Sequence, residues 1–304
     1  MTRKQLELRI KANAEKYIHK DTEACVDAIM ELYKRIPDVG GVFKPLYRYR
    51  SLNSDELNSL ENETIFMRWP SSYDDKSDCT PVFDFEEISE YIIKKNHPIL
   101  NAEKVVKEFI NIDDIIENPR FAEKINEMRN MWMIACFTER YNNSKMWAQY
   151  ANNFSGICLV YSFFDVLETI KHTKGMSIMP VRYVDNRDKY KDICLNHKDL
   201  LEFNDETEPK YQLTCTTKEK LSYSFEEEWR LIYEREKVNT DGEKKGDCIP
   251  FINPAVIICG NSVDKNSLEY QRLIRIAKGK GHQAYVICPL VEASEGTQGE
   301  NVID

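Results

Sequence analysis

The chain has 304 residues, of which 42% are hydrophobic, and it carries a formal net charge of −9. This composition is enough to bury a sizeable core, and no apolar run reaches the roughly 18 residues that a membrane-spanning helix needs. The negative charge disfavours broad nucleic-acid binding, which requires a positive surface. The N-terminal stretch also lacks the apolar core of a secretory signal, so we expect a cytoplasmic protein without a membrane partner.

Nine cysteines are scattered along the chain, and no Cys-x-x-Cys pair occurs. Several lie in apolar, strand-like runs such as Ala135-Cys136-Phe137, which is typical of reduced core cysteines in a cytosolic protein. One spacing is typical of metal ligands, Cys194-x-x-His197, but it has no second half, and a zinc site needs about four ligands. We therefore expect no metal cofactor.

The domain organisation follows from the apolar pattern in chain order. Residues 1–40 predict a helical appendage, because apolar residues recur there at helical spacing. Residues 41–291 predict one α+β domain, in which mixed or antiparallel central sheets carry helical insertions. The main insertion is predicted at about 83–130, ahead of a buried strand from Met131 to Phe137. The polar residues 292–304 predict a frayed tail.

The second half of the chain alternates short strands and helices irregularly. Pro180 places the strand that contains it near a sheet edge or near a strand end. The predicted elements are a helix at 146–150, strands at 156–163 and 178–184, a loop at 186–208, a helix at about 209–221, strands at 248–251 and 255–259, a helix at 266–278 and a last strand at 284–288.

Two arginines lie in an early strand. The stretch from Leu46 to Arg50 alternates, with Arg48 and Arg50 on one face and Tyr47 and Tyr49 on the other. The arginine stems could cover a core strand. Alternatively, one guanidinium could bind phosphate or carboxylate in bidentate fashion at a cleft.

A polar loop from Trp69 to Asp78 contains three aspartates, Asp74, Asp75 and Asp78. The loop lacks the glycine and the terminal glutamate of an EF-hand, although carboxylates are ligands that cations prefer. Turn formation is therefore the preferred interpretation of these aspartates.

Three consecutive glutamates, Glu226 to Glu228, lead directly into an aromatic segment that begins with Trp229 and Arg230. In a strand, Glu226 and Glu228 would point to the same face. The plain interpretation is a solvated acidic loop with Arg230 as a surface partner. The alternative is a catalytic Glu-x-Glu pair, in which the proximity of one carboxylate raises the pKa of the other.

These motifs occur in the order seen in a bacterial family of unknown function, DUF2971, which the chain resembles over roughly residues 45–290. One loop departs from the family pattern, because Asn-Asp-Pro-Phe-Asp is replaced by a sequence in which only Asp75 and Asp78 match. The stretches that carry the resemblance are 46–52, 69–78, 136–138, 146–151, 156–159 and 226–230.

The order of the motifs is also similar to that of the ADP-ribosyltransferases. Those enzymes have an aromatic-plus-arginine strand, a strand end with Ser or Thr, and a late strand that starts with a catalytic glutamate. The corresponding residues here are Tyr49-Arg50 or Tyr47-Arg48, Phe137-Thr138 and Glu226-x-Glu228. The resemblance implies a split-sheet core and an ADP-ribosyltransferase or NAD glycohydrolase that uses NAD as its substrate, with a role in bacterial phage defence or as a toxin.

The resemblance also implies roles for individual residues. Glu228 would accept the ribose 2′-hydroxyl and stabilise the oxocarbenium-like state, and Glu226 would orient or deprotonate the acceptor. Structural roles compete with these, because Arg50 and Glu228 could form a buried ion pair and Trp147 could pack in the core. The residues that would bind NAD are Arg50, Arg48, Tyr49, Thr138, Trp147 and Tyr150.

Two other classes of function stay open. One is a sensor module that binds a nucleotide or an acidic ligand without turnover. The other is a metal-dependent nuclease, in which Asp75, Asp78 and the glutamates hold Mg²⁺. The sequence leaves the macromolecular acceptor of a transferase reaction open.

Overall fold

A computed structural model of the chain describes most of the region between residues 45 and 279. The predicted appendage at 1–40, the predicted strand at 284–288, the polar tail and both predicted domain boundaries lie outside this part. No helix among the described residues is long and apolar enough to cross a membrane. The described residues are 45–96, 119–140, 143–196, 198–199, 207–219, 221–234, 245–254 and 256–279.

Helices and mainly antiparallel strands alternate irregularly, which confirms the α+β class. The described strands are β1 (Leu46–Arg50), β2 (Thr64–Arg68), β3 (Val82–Phe83), β4 (Trp132–Thr138), β5 (Ile157–Tyr161), β6 (Met176–Pro180), β7 (Arg182–Tyr183), β8 (Cys194–Leu195), β9 (Thr217–Lys218), β10 (Glu228–Glu234), β11 (Gly246–Pro250) and β12 (Val256–Cys259). The described helices are α1 (Ser54–Glu61), α2 (Phe85–Asn96), α3 (Pro119–Arg129), α4 (Ser144–Tyr150), α5 (Phe163–Lys171), α6 (Thr207–Cys215) and α7 (Leu268–Gly279).

The chain forms two compact units, each made of separate stretches of sequence. The first unit takes in the described residues of 65–136 and 164–249. The second takes in those of 45–64, 137–163 and 250–279. Helices α2 and α3 lie in the stretch predicted to be a helical insertion, and both belong to the first unit.

In the first unit, β10 pairs antiparallel with β6, and Arg230 lies opposite Met179. Strand β10 also pairs with β4, and β2 pairs antiparallel with β4. The strand predicted at 178–184 is wrong in its bounds, because β6 ends at Pro180 and Arg182–Tyr183 forms the separate strand β7. Two short parallel pairs join β3 to β8 and β7 to β9, and the second pair sets Tyr183 opposite Lys218.

The core of the first unit is built around two stacked rings. Trp132 of β4 and Tyr211 of α6 are almost fully buried, and their ring centroids lie 4.8 Å apart. Burying such side chains contributes roughly 1.5–3 kcal/mol each, so this cluster dominates the packing. The other buried members are Cys79, Phe83, Ile88, Met128, Ile134, Leu195, Cys215 and Ile232.

Two further predictions in this unit are wrong in detail. The helix predicted at about 209–221 ends at Cys215 because the hydroxyls of Thr216 and Thr217 donate to carbonyls of its last turn, including that of Leu213. The loop predicted at 186–208 contains the buried strand β8, because Leu195 joins the core described above.

In the second unit, β1 pairs antiparallel with β5, and β12 pairs with the other edge of β5. Gly156 precedes β5 and allows this pairing, since a Cβ there would lie only 2.3 Å from the carbonyl oxygen of Arg50. Between α4 and Gly156 the chain makes a left-handed turn, in which Asn152, Asn153 and Phe154 all have positive φ angles. The turn places the Phe154 ring parallel to that of Trp147.

Candidate functional site

The most strongly constrained group of the first unit is the guanidinium of Arg230. Glu228 begins β10 and Arg230 follows two residues later, so both side chains lie on one face of the strand. Arg230 donates from Nε to Glu228 Oε1 at 2.8 Å and from Nη2 to Oε2 at 3.3 Å. Its side chain is only 1% exposed, so the interpretation of Arg230 as a surface partner is wrong.

Arg230 also binds a second carboxylate. Its two terminal nitrogens donate to the two oxygens of Asp78, at 2.9 and 2.8 Å, in the two-pronged geometry that suits arginine. Desolvation alone would raise the pKa of Asp78, but the charge and hydrogen bonds of Arg230 outweigh it and lower the pKa. Asp78 is therefore an ionised partner of Arg230, and the prediction that it serves only a turn is wrong.

Lys218 of β9 joins the two glutamates of the Glu-x-Glu motif. Its Nζ lies 2.7 Å from Glu226 Oε2 and 3.6 Å from Glu228 Oε2. The side chains of all three residues are largely buried, so a solvated acidic face is excluded here. The two carboxylates lie close together, as the motif predicted. They are bridged by Lys218, which is not part of the motif.

The backbone that brings the glutamates together is not a continuous strand. Glu226 ends a 3₁₀ turn, Leu221–Glu226, and only Glu228 belongs to β10. Glu227 between them has a φ angle of +43°, in the left-handed region. The prediction that strand alternation sets Glu226 and Glu228 on one face is therefore wrong, because Glu226 lies in the 3₁₀ turn and not in the strand. Tyr183 fixes the start of the strand by accepting a hydrogen bond from the Glu228 N–H.

The five charged residues Asp78, Lys218, Glu226, Glu228 and Arg230 are called the charge cluster below. Desolvation alone would raise the pKa of Glu228, but the charges of Arg230 and Lys218 outweigh it and lower the pKa. The prediction of a raised carboxylate pKa is therefore wrong for Glu228. Three carboxylates face two cations, so the cluster carries a formal excess of one negative charge.

Cys136 is the exposed residue of an otherwise buried strand, β4. Despite this exposure, surrounding groups desolvate the thiol and raise its pKa well above the ordinary value, and the charge of Glu228 raises it further. The prediction of Cys136 as a core cysteine is wrong, whereas Cys158 is buried as predicted.

The loop that carries Asp78 is held by two buried arginines. Arg129 donates from Nη2 to the carbonyl of Pro70 at 2.7 Å, and Arg187 donates from Nη1 to the carbonyl of Ser77 at 2.7 Å. Asp75 accepts hydrogen bonds from the backbone and hydroxyl of Ser77, which confirms its predicted role in a turn. The loop therefore presents Asp78 to Arg230 from a fixed backbone.

The predicted anion-binding arginines lie in the second unit. Arg50 donates from Nε to Glu56 of α1 at 2.6 Å, and its side chain is 32% exposed. Arg48 is buried, with its guanidinium carbon 5.9 Å from the ring centroid of Phe137. Arg50 thus pairs with Glu56 rather than forming the Arg50–Glu228 ion pair that the sequence suggested.

The other predicted NAD-binding residues also belong to the second unit. Tyr49 donates its hydroxyl to the carbonyl of Arg140 at 2.9 Å, and its ring meets Trp147 edge-on at 5.1 Å. Trp147 is 3% exposed, as its alternative core role predicts, and Thr138 is buried at the end of β4. Tyr150 at the end of α4 is 42% exposed.

Among the described residues, no three His, Cys, Asp or Glu side chains are grouped so that they could hold a metal ion. Cys194 is buried in β8, and its predicted partner His197 lies outside the described residues. Asp75 and Asp78, the predicted Mg²⁺ ligands, are engaged with Ser77 and Arg230 respectively.

One comparison with known families gives a match. Residues 146–231 match the family described as protein of unknown function (DUF2971). This confirms the family prediction, over a shorter stretch than the resemblance suggested. No curated protein and no solved structure matches the chain.

The DUF2971 stretch contains four of the five residues of the charge cluster, and Asp78 precedes it. Sequence reasoning missed Lys218, because it lies in a polar stretch taken for the end of a helix. A signal for Asp78 was present, since it is one of two loop positions that match the family pattern where the neighbouring residues depart. For Lys218 the sequence offers no comparable signal.

Proposed function

We propose that the chain is an ADP-ribosyltransferase or NAD glycohydrolase, with Glu228 as its catalytic carboxylate. The observation that carries the proposal is the state of Glu228, which is held ionised by Arg230 and Lys218 and whose charge acts on the exposed residue Cys136. An ionised carboxylate is what the chemistry requires, because it must accept a hydrogen bond from the ribose 2′-hydroxyl of NAD.

The electrostatics of the charge cluster support the same reaction. When the bond between nicotinamide and ribose breaks, positive charge develops on the ribose and nicotinamide leaves as a neutral molecule. The formal negative excess of the cluster would stabilise that charge, and desolvated groups act more strongly than hydrated ones. Glu226, held by the same lysine, is the candidate base that activates water or another acceptor.

The experiment is release of nicotinamide from NAD labelled in the nicotinamide ring. Glu228→Gln keeps the shape of the side chain and removes its charge, so release should fall by about 10²–10³-fold. Glu234→Gln is the matched control, because Glu234 ends the same strand and is exposed. Equal release by the wild type and Glu228→Gln, with both folded, would contradict the proposal.

The predicted role of Arg50 is tested separately. Its side chain is partly exposed, and the ion pair with Glu56 holds its Nε. Binding of the NAD pyrophosphate by Arg50 should make Arg50→Ala raise KM with little change in kcat. Arg272→Ala is the control, because Arg272 belongs to the same unit, is 30% exposed and likewise pairs with a glutamate, Glu61. It also donates a hydrogen bond to Asn58.

One observation favours a second candidate, a ligand-binding module without turnover. Both oxygens of Glu228 already accept from cations of the protein itself, which is also the arrangement of a structural ion pair. A rise in Tm on addition of NAD, without nicotinamide release in buffer or in cell lysate, would favour this candidate over the enzyme.

A further inference from the structure

Lys218 bridges the carboxylates of Glu226 and Glu228. It lies in β9 opposite Tyr183 of β7, and Tyr183 in turn accepts the N–H of Glu228. The parallel pair of strands therefore holds the lysine and the first residue of β10 in one place. The Lys218 side chain is 13% exposed, and its ammonium also lies 4.7 Å from the ring centroid of Tyr223.

We propose that Lys218 is a positioning residue, which holds the carboxylates of Glu226 and Glu228 side by side at the start of β10, and this role rests on the function proposed for Glu228. Without a cation between them, two buried carboxylates repel each other, and one of them takes up a proton or turns away. The ammonium, 2.7 Å from Glu226 and 3.6 Å from Glu228, offsets that repulsion.

The charge state of Lys218 fits positioning and excludes a role as a base. Desolvation alone would lower the pKa of Lys218, but the charges of Glu228 and Glu226 outweigh it and raise the pKa above its ordinary value. The amine therefore stays protonated at neutral pH. Among the described residues, the titratable and charged groups that face it include Glu226, Glu228, Asp78, Arg230, Tyr223 and Cys136.

Cys136 gives a readout of this arrangement that does not depend on activity. Its thiol pKa responds to the negative charge of Glu228 and to the positive charges of Arg230 and Lys218. The pH dependence of its alkylation by iodoacetamide, followed on the peptide that contains Cys136, therefore reports the charge around Glu228. Tyr73 is the other titratable group beside this thiol.

The Lys218→Met variant should move the midpoint of Cys136 alkylation upward by about one pH unit, because a positive charge near the thiolate is lost. At a fixed pH below the midpoint, alkylation should be about tenfold slower, because the thiolate fraction falls tenfold when the thiol pKa rises by one unit. Lys218→Arg should retain the wild-type midpoint, and so should Lys189→Met, which removes an exposed lysine of the same unit. A folded Lys218→Met variant with both the wild-type midpoint and the wild-type kcat would overturn the proposal, because uptake of a proton by Glu228 would offset the lost lysine charge but would lower kcat.

The Lys218→Met variant leaves two buried carboxylates without their shared cation, and it can fail to fold. In that case Lys218→Met is combined with Glu226→Gln, which removes the repulsion and keeps Glu228 beside Cys136. The double variant should show an upward shift of the alkylation midpoint relative to Glu226→Gln alone, because these two proteins differ only in the charge of Lys218. An unshifted midpoint in the double variant would overturn the proposal equally.

Kinetics separate this inference from the proposed function. In nicotinamide release, Lys218→Met should lower kcat at an unchanged KM, and Lys218→Arg should restore most of the loss. If the wild type releases no nicotinamide, the proposed function fails while the alkylation midpoints still decide whether Lys218 sets the charge at Glu228. If the wild type is active and Lys218→Met has a normal kcat, the positioning role fails and the proposed function stands.

Discussion

Arg230 and Asp78 lie 152 residues apart in the sequence, and both oxygens of Asp78 accept from the guanidinium of Arg230. The same guanidinium binds Glu228. The side chain of Arg230 therefore links the loop carboxylate of Asp78 directly to the candidate catalytic carboxylate. Predictions about stability and about the site therefore begin with this pair.

Asp78→Asn should destabilise the first unit by about 3 kcal/mol, because removing one partner leaves a buried charge less well compensated. Urea unfolding followed by tryptophan fluorescence measures the change. Asp185→Asn, which removes an aspartate from an exposed pair with Lys189, should unfold like the wild type. An Asp78→Asn variant as stable as the wild type would show that Glu228 alone compensates Arg230.

Stability should fall on acidification. The native pKa values of Asp78 and Glu228 lie below their ordinary values of 3.8 and 4.5, so the unfolded chain binds protons more tightly than the native one. The ion pairs therefore contribute fully above about pH 5, and the contribution is lost as the pH falls through the native pKa values. Urea unfolding at intervals from pH 7 to pH 3 should show the fall, with a shallower slope for Asp78→Asn.

Gly156→Ala should destabilise the second unit by roughly 1–3 kcal/mol or more, because its Cβ would overlap the carbonyl oxygens of Arg50 and Ala151. Thermal unfolding measures the change. Gly279→Ala is the matched control, since no atom lies within 4 Å of a Cβ at the end of α7. Equal Tm values for the two variants would contradict the close approach of β1 and β5.

Glu227 occupies the left-handed region, where a side chain costs about 1–2 kcal/mol and glycine costs almost nothing. Glu227→Gly should therefore be more stable than Glu227→Val by about that amount, because a β-branched residue tolerates a positive φ angle poorly. Comparing the two variants by urea unfolding cancels the loss of the glutamate side chain. A more stable valine variant would mean that the chain can start β10 without this turn.

Secondary-structure elements could be predicted from the sequence where a local pattern, such as a continuous apolar run, was strong. Pro180 was placed inside a strand predicted to run to residue 184, but it ends β6. The continuous apolar runs predicted β4 and β5, because burial on both faces is a local property. The Glu-x-Glu motif drew attention to Glu226 and Glu228 for the same reason. The proximity of the two carboxylates could be predicted, but neither the left-handed backbone at Glu227 nor the lysine between them could.

The features that the sequence could not predict depend on contacts between residues that are far apart in the chain. Lys218 has no distinguishing local pattern, and its meaning comes from the pairing of β9 with β7. Cys136 stands in an apolar run that normally marks a core strand. Its exposure is set by the packing of distant segments around β4, which the local sequence does not specify. A raised carboxylate pKa was expected from like charges, but the two nearby cations decide the sign.

The long separation between Asp78 and Arg230 also bears on how the protein can be divided. The stretch that matches the family runs from 146 to 231 and contains strands of both compact units. A fragment cut to those limits would lack Asp78 and the strand β4 that pairs with β10. The boundaries of the family pattern are therefore unsuitable as boundaries for expression, and any fragment meant to keep the charge cluster must start before the loop that carries Asp78.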